Sequence, residues 1–310
     1  MAPIDFKDQL LSGLGGPFPA TGPLNPIVIK TEQKAGYTLK WIKYEGDPGE
    51  LIPAILMIPD GVDSLNPAPG VCIWHQHNGQ WDIGKTEPAG LSGNPMHHTG
   101  VSLVENGYVV LCPDALGFEE RTQGYKLSAG SLERFLYLKY VVRGQTMAWK
   151  NILDMRRAVD YLTSLEEVDS NSIGSYGHSM GSTHAYMVAP WEPRIKATVC
   201  NCCLPTYKAI EENEILHCFP NFVTGIYPEA DTPDIVALIA PRPVHMNFGE
   251  LDSGSPIKHV RNAMANIRMA YESMHAEDNF TYYIESGAGH ILSEEMWTRG
   301  LNFFDRHLKR

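Results

Sequence analysis

The chain has 310 residues, 43% of them hydrophobic and 20% charged, which excludes wholesale disorder. Its net charge of 25 − 36 = −11 offers no general attraction to nucleic acid or to an anionic membrane. No apolar run approaches the ~18 residues that a membrane helix needs. The start, MAPIDFKDQLLSGLGG, has no basic stretch followed by an apolar core, so no export signal is read there. The six cysteines, at 72, 112, 200, 202, 203 and 218, lie mostly in apolar runs without zinc-site spacing. They read as small buried hydrophobes in a reducing, cytoplasmic setting.

Taken in chain order, residues 1–26 are rich in Gly and Pro and read as a surface arm. Residues 27–46 read as two strands around Lys34-Ala35-Gly36, and IPAILMIPDG follows as a third. From residue 69 the runs PGVCIWHQH, GYVVLCPDA, NSIGSYGHS, IKATVCNCC, PRPVHMNFGELD and FTYYIESGAGH are short and rich in β-branched residues, as strands buried on both faces should be. Helical segments are expected between them, near 97–106, 145–165, 182–190, 257–276 and 293–308. The clearest carries Met147, Ile152, Met155, Val159 and Leu162 at mostly three- and four-residue steps. Strands alternating with helices predict a parallel α/β sheet within one domain, 1–310. Residues 204–240 break the alternation with a mixture of aromatics, prolines and acids, and are expected to form a lid or pocket wall.

Gly177-His178-Ser179-Met180-Gly181 matches G-x-S-x-G between a strand-like run and a helix-like one. That is the setting of a nucleophile elbow, in which a strained turn projects the serine at the carboxyl edge of the sheet. A serine hydroxyl is a poor nucleophile at neutral pH and needs an adjacent base. The required order of acid, then histidine, is met by Asp252 and His290, each just past a strand-like run. Glu250 is the alternative acid. The backbone N–H of Met180 would face a developing oxyanion, and the loop Trp74-His75-Gln76-His77-Asn78-Gly79-Gln80 should supply the second donor, at His77 or else at Gln76. His75, His77, His97 and His98 lack acidic or thiol partners at ligand spacing, so no metal and no cofactor is expected. Trp74, Gln76, Trp81, Phe219, Phe222 and Tyr227 are candidates for the substrate pocket. Arg121 either joins them, meeting a substrate carboxylate, or pairs with nearby acids and fixes its loop.

Five elements in order (the HQHNG loop, CPDALGFEER, GHSMG, PRPVHMNFGELD and GAGH) resemble the α/β-hydrolase superfamily, in its dienelactone-hydrolase-like and acetyl-xylan-esterase-like branch, over residues 27–308. The resemblance implies a mostly parallel sheet of about eight strands flanked by helices, and ester hydrolysis through an acyl-enzyme, with Ser179, Asp252 and His290 as nucleophile, acid and base. Dienelactone hydrolases proper use cysteine where this chain has Ser179, which points to general carboxylesterase chemistry on a small-molecule ester. Lactonase, thioesterase and peptidase-like reactions on the same triad are the alternatives, with a non-catalytic binding protein of this fold behind them. Neither a nucleic-acid nor a membrane partner is expected. A homo-oligomer is compatible with the sequence.

Overall fold

The computed structural model describes residues 5–47 and 49–309. Nine strands form one sheet: β1 Ile27–Lys34, β2 Tyr37–Glu45, β3 Leu51–Pro59, β4 Ala68–Trp74, β5 Val109–Pro113, β6 Val168–His178, β7 Ile195–Asn201, β8 Val244–Gly249 and β9 Phe280–Glu285. Their spatial order is β1-β2-β3-β5-β4-β6-β7-β8-β9. The first three strands and the β3/β5 pair are antiparallel, and every neighbour from β5 to β9 is parallel. Each of the nine strand-like runs of the sequence thus forms a strand, one more than the roughly eight that the family resemblance implies.

Nine α-helices are present among the described residues: α1 Phe6–Leu14, α2 Thr99–Glu105, α3 Ala129–Val141, α4 Met147–Thr163, α5 Met180–Val188, α6 Tyr207–Asn213, α7 Thr232–Ala237, α8 Ile257–Ser273 and α9 Glu294–Leu308. The helices flank the sheet. One large core holds Leu56, Cys72, Ile152, Val159, Ala185 and Met264, and a second core holds Val71, Val110, Tyr176 and Phe304. Alternate residues of β4 and β5 thus serve opposite layers, which explains why these strands are apolar throughout.

Outside the 204–240 insertion, two helices have no counterpart among the expected helical segments. Helix α1 lies inside the supposed surface arm. Phe6, Leu10 and Leu14 share one face at four-residue steps, and Leu10 and Leu14 are fully buried in the main core. Residues 1–4 of that arm lie outside the described residues. Helix α3 buries Leu132, Leu136 and Tyr140 at the same spacing, together with the carboxylate of Glu133.

Residues 204–240 form α6, a single 3₁₀ turn at Phe219–Asn221 and α7, between β7 and β8. The segment is tied down at buried Asn221, whose Oδ1 accepts from Thr183 Oγ1 at 2.6 Å and whose carbonyl accepts from Tyr207 Oη at 2.7 Å. It therefore packs over α5, and the Phe219 ring stacks on Tyr137 of α3 at 4.7 Å.

The turn from β6 into α5 depends on glycine. A Cβ at Gly181 would lie 1.9 Å from the Trp74 carbonyl oxygen, and one at Gly177 would lie 1.9 Å from the Gly181 carbonyl oxygen. Both obstacles are backbone, so relief requires moving β4 or α5. Gly181→Ala is expected to cost at least about 2 kcal/mol by urea unfolding. A wild-type midpoint would contradict this packing.

Candidate active site

Ser179 occupies the residue between β6 and α5 with φ 57° and ψ −121°, a left-handed conformation that L residues rarely adopt. Its N–H donates to the Asn201 carbonyl at 2.8 Å, which fixes the turn against the end of β7. The side chain is half-buried at the carboxyl edge of the sheet.

The acid and the histidine come from the next strand ends. A Cβ at Gly249, the last residue of β8, would meet the Gly289 carbonyl oxygen at 2.0 Å, so the loop carrying His290 lies directly on the end of β8. Leu251 N–H donates to the Ala288 carbonyl at 2.7 Å across the same contact. Asp252 Oδ1 accepts the Gly254 N–H at 2.9 Å, and its Oδ2 lies 2.7 Å from His290 Nδ1. His290 Nε2 in turn lies 2.8 Å from Ser179 Oγ. The Asp252 side chain is 3% exposed and that of His290 42%, so the carboxylate is dry while the imidazole faces solvent. Glu250, the alternative acid, accepts from Ser286 Oγ at 2.6 Å and from the Gly287 N–H instead.

Two further imidazoles pack behind His290, tilted against one another. The rings of His178 and His290 are 5.2 Å apart, and those of His97 and His178 are 4.5 Å apart. Burial holds His178 well below the ordinary histidine range, and it lowers His97 as well. Both rings stay neutral at pH 7, so neither opposes positive charge on His290. Buried Asn201 links the parts, with Nδ2 at 2.7 Å from His178 Nδ1 and at 3.3 Å from the Ile291 carbonyl beside His290.

The loop after β4 faces the elbow. Among the described residues, the backbone N–H groups of Met180, Gln76 and His77 have no hydrogen-bond partner, so all three are free to donate. His75 Nδ1–H donates to the Gln76 carbonyl at 2.8 Å, and Nε2 accepts the Ala115 N–H at 3.0 Å. His77 Nε2 lies 2.8 Å from Glu133 Oε2, and Nδ1 accepts the Gly79 N–H at 2.9 Å. The four ring nitrogens of His75 and His77 are thus all engaged within the protein. Three carboxylates that do converge, Asp114, Glu119 and Glu120, surround Lys85 Nζ at 2.8, 2.6 and 3.0 Å. That ammonium occupies the space between the three carboxylates.

Several pocket candidates are corrected. Trp74 is buried in the core and donates its Nε1–H to Ser175 Oγ at 2.8 Å. Arg121 is buried in a network with Glu50, Asp154 and Lys150, so its guanidinium fixes the loop after β5 and is not free for a substrate. Gln76 is buried and bonded to Glu87 at 2.9 Å. Phe222 and Tyr227 pack around Tyr207 in the insertion. Trp81 donates its Nε1–H to Glu133 Oε2 at 2.8 Å, and Phe219 stacks on Tyr137 of the same helix, α3. Glu133, Asn201 and His217 were missed. His217 connects the insertion to the acid loop, 2.7 Å from the Gly254 carbonyl. The signal for Glu133 is a carboxylate beside the apolar stripe of α3.

Comparison with known proteins decides the family. The dienelactone hydrolase family model matches residues 52–307. The chain belongs to the dienelactone hydrolase family. As a member it is a hydrolase acting on esters. It is 26% identical over 307 residues to hydrolase YtaP of Bacillus subtilis (strain 168), covering 97% of this chain and 99% of that protein. Solved structures share the fold. Acetyl xylan esterase 1 from Thermoanaerobacterium sp. JW/SL YS485 superposes with a TM-score of 0.67 at 17% identity, covering 99% of this chain and 95% of that one. A glucuronoyl esterase from Solibacter usitatus gives 0.68 at 17% identity, covering 97% and 92%. No helix among the described residues of this hydrolase is long and apolar enough to cross a membrane.

The His75 environment carries a pH prediction. Burial pushes its imidazole down to about 4 from 6.5, in accord with an Nε2 that must stay an acceptor. The unfolded chain therefore takes up this proton first as pH falls. The stabilisation is complete above pH 6.5 and is lost between 6.5 and about 4, by up to about 3 kcal/mol. Urea unfolding in steps from pH 7.5 to 4.5 is expected to show a shallower decline for His75→Asn than for the wild type. Equal slopes would contradict it.

Proposed function

We propose that this member of the family is a serine carboxylesterase that cleaves small, short-acyl esters through an acyl-enzyme. The observation that carries the reading is the unbroken line Asp252 Oδ2, His290 Nδ1, His290 Nε2, Ser179 Oγ, with steps of 2.7 and 2.8 Å. These distances lie within reach for base-assisted proton transfer in the unliganded protein.

In this reading Ser179 Oγ attacks the ester carbonyl while His290 Nε2 takes the hydroxyl proton. Asp252 holds the Nδ1–H tautomer and stabilises the imidazolium. The N–H groups of Met180 and His77 receive the tetrahedral oxyanion. His290 then returns the proton to the leaving alcohol as the carbonyl re-forms. Water, deprotonated by the same nitrogen, attacks the acyl-serine, and collapse of the second tetrahedral species restores Ser179. The half-exposed His290 leaves the acylation face open to solvent, which suits an ester presented from outside. The acetyl xylan and glucuronoyl esterases that share the fold act on carboxylic esters, and that supports the reaction class. The six unpaired cysteines, five of them buried, favour a reducing compartment, and we place the protein in the cytoplasm.

Turnover of a panel of short-acyl aryl esters, matched amides and matched thioesters tests the assignment. Esters should lead the panel, and Asp252→Asn should lower kcat by about 10³-fold or more. The rate should fall on acidification as His290 gains a proton. Faster amide or thioester turnover, or a rate flat from pH 5 to 8, would contradict the assignment.

A further inference from the structure

We propose that Glu133 is a positioning residue for the oxyanion loop, acting through the His77 imidazole on the His77 backbone N–H. The inference rests on the serine-esterase reading above.

Glu133 is 3% exposed and forms no ion pair with lysine or arginine among the described residues. Its helix does not need a charge there, because Leu132, Leu136 and Tyr140 already fill the inward face. Burying a carboxylate without a cation is costly unless hydrogen bonds compensate. Here both bonds fall on one oxygen. Oε2 lies 2.8 Å from His77 Nε2 and 2.8 Å from Trp81 Nε1, and Oε1 is buried without a partner. Both donors belong to the loop that follows β4, so the carboxylate spends its binding capacity on that loop alone.

The far side of the imidazole completes the argument. His77 Nδ1 accepts the Gly79 N–H at 2.9 Å, so the ring must carry its proton on Nε2, and Glu133 is the acceptor that selects this tautomer. The ring bond to Gly79 spans a turn in which Asn78 and Gly79 are both left-handed, with φ of 46° and 66°. Gln80 N–H closes the same turn on the His77 carbonyl at 2.9 Å. The backbone following His77 is thereby pinned at two points, while its own N–H is left unpaired. Rings of Trp81 and Phe118, each 5.1 Å from the imidazole and edge-on, prevent it from tilting. A sequence of contacts thus runs from Glu133 to the imidazole, to the Gly79 turn, and to the direction of the His77 N–H. This carboxylate–imidazole pair moves no proton. It sets the aim of a donor.

The test is a cycle of Glu133→Ala, His77→Ala and their double variant, with Glu133→Gln beside them, on a short-acyl aryl ester. His77→Ala keeps the backbone N–H and removes only its support. Each single alanine variant should lose about 10²-fold in kcat with KM changed less than about threefold, since the aim of a transition-state donor is altered and not substrate binding. The double variant should be no worse than about threefold below either single, because both act along one path. Glu133→Gln keeps an acceptor oxygen for both donors and should stay within about tenfold of wild type. Single-variant kcat values within about threefold of wild type, or losses that multiply in the double variant, would overturn the inference. A loss expressed in KM would do the same. Should Glu133→Ala fail to fold, the ranking of His77→Ala below Glu133→Gln carries the test, and the reverse ranking overturns it. Wild-type turnover reports on the esterase reading separately, so a Ser179-dependent wild type with an indifferent Glu133→Ala sinks this inference alone.

Discussion

The site hangs on one close approach, that of Gly181 in the first turn of α5 to the Trp74 carbonyl at the end of β4. No side chain fits between these backbones, so the contact holds the elbow and the start of the 75–81 loop at a fixed separation. The two sources of oxyanion donors in the proposed mechanism are thus placed by a single steric constraint. The same logic recurs at Gly249, where β8 meets the loop carrying His290. Between these contacts Asn201 acts as a hub. Its carbonyl holds the Ser179 N–H, and its amide holds both His178 and the Ile291 carbonyl.

Electrostatics then sorts the polar groups. Cations near the site are consumed by their own clusters: Lys85 by Asp114, Glu119 and Glu120, and Arg121 and Lys150 by Glu50 and Asp154. Breaking such a buried cluster by removing one member leaves an uncompensated charge, at about 3–5 kcal/mol. These clusters brace the segment after β5. Two carboxylates, Asp252 and Glu133, instead lie against a ring nitrogen of His290 and His77. His290 meets Ser179, the nucleophile of the proposed mechanism, and His77 meets a backbone turn.

Much of this was legible in the sequence, for identifiable reasons. A G-x-S-x-G turn demands glycine on both sides for steric reasons, so the elbow announces itself locally. Asp252 and His290 follow strand-like runs, and parallel topology brings such positions to one edge. The long-range partners were not legible. Glu133 is 56 residues from His77, and no spacing rule connects a helix face to a loop that far away. Trp74 is a pocket candidate by its place at the start of the 75–81 loop, whereas Arg121 carries two readings, of which pairing with nearby acids holds. β alternation turns Trp74 into the core, and Arg121 finds Glu50 and Asp154 from distant segments. Helix α1 was obscured by glycines and prolines at its end, although Phe6, Leu10 and Leu14 already stood at helical spacing.

The proposed chemistry stands or falls with Ser179 as a nucleophile activated by His290. Intact-mass measurement after incubation with an organophosphonate ester, on wild type and Ser179→Ala side by side, tests it most directly. One adduct is expected on the wild type and none on the variant. No adduct on the wild type, or an equal adduct on both, would contradict it.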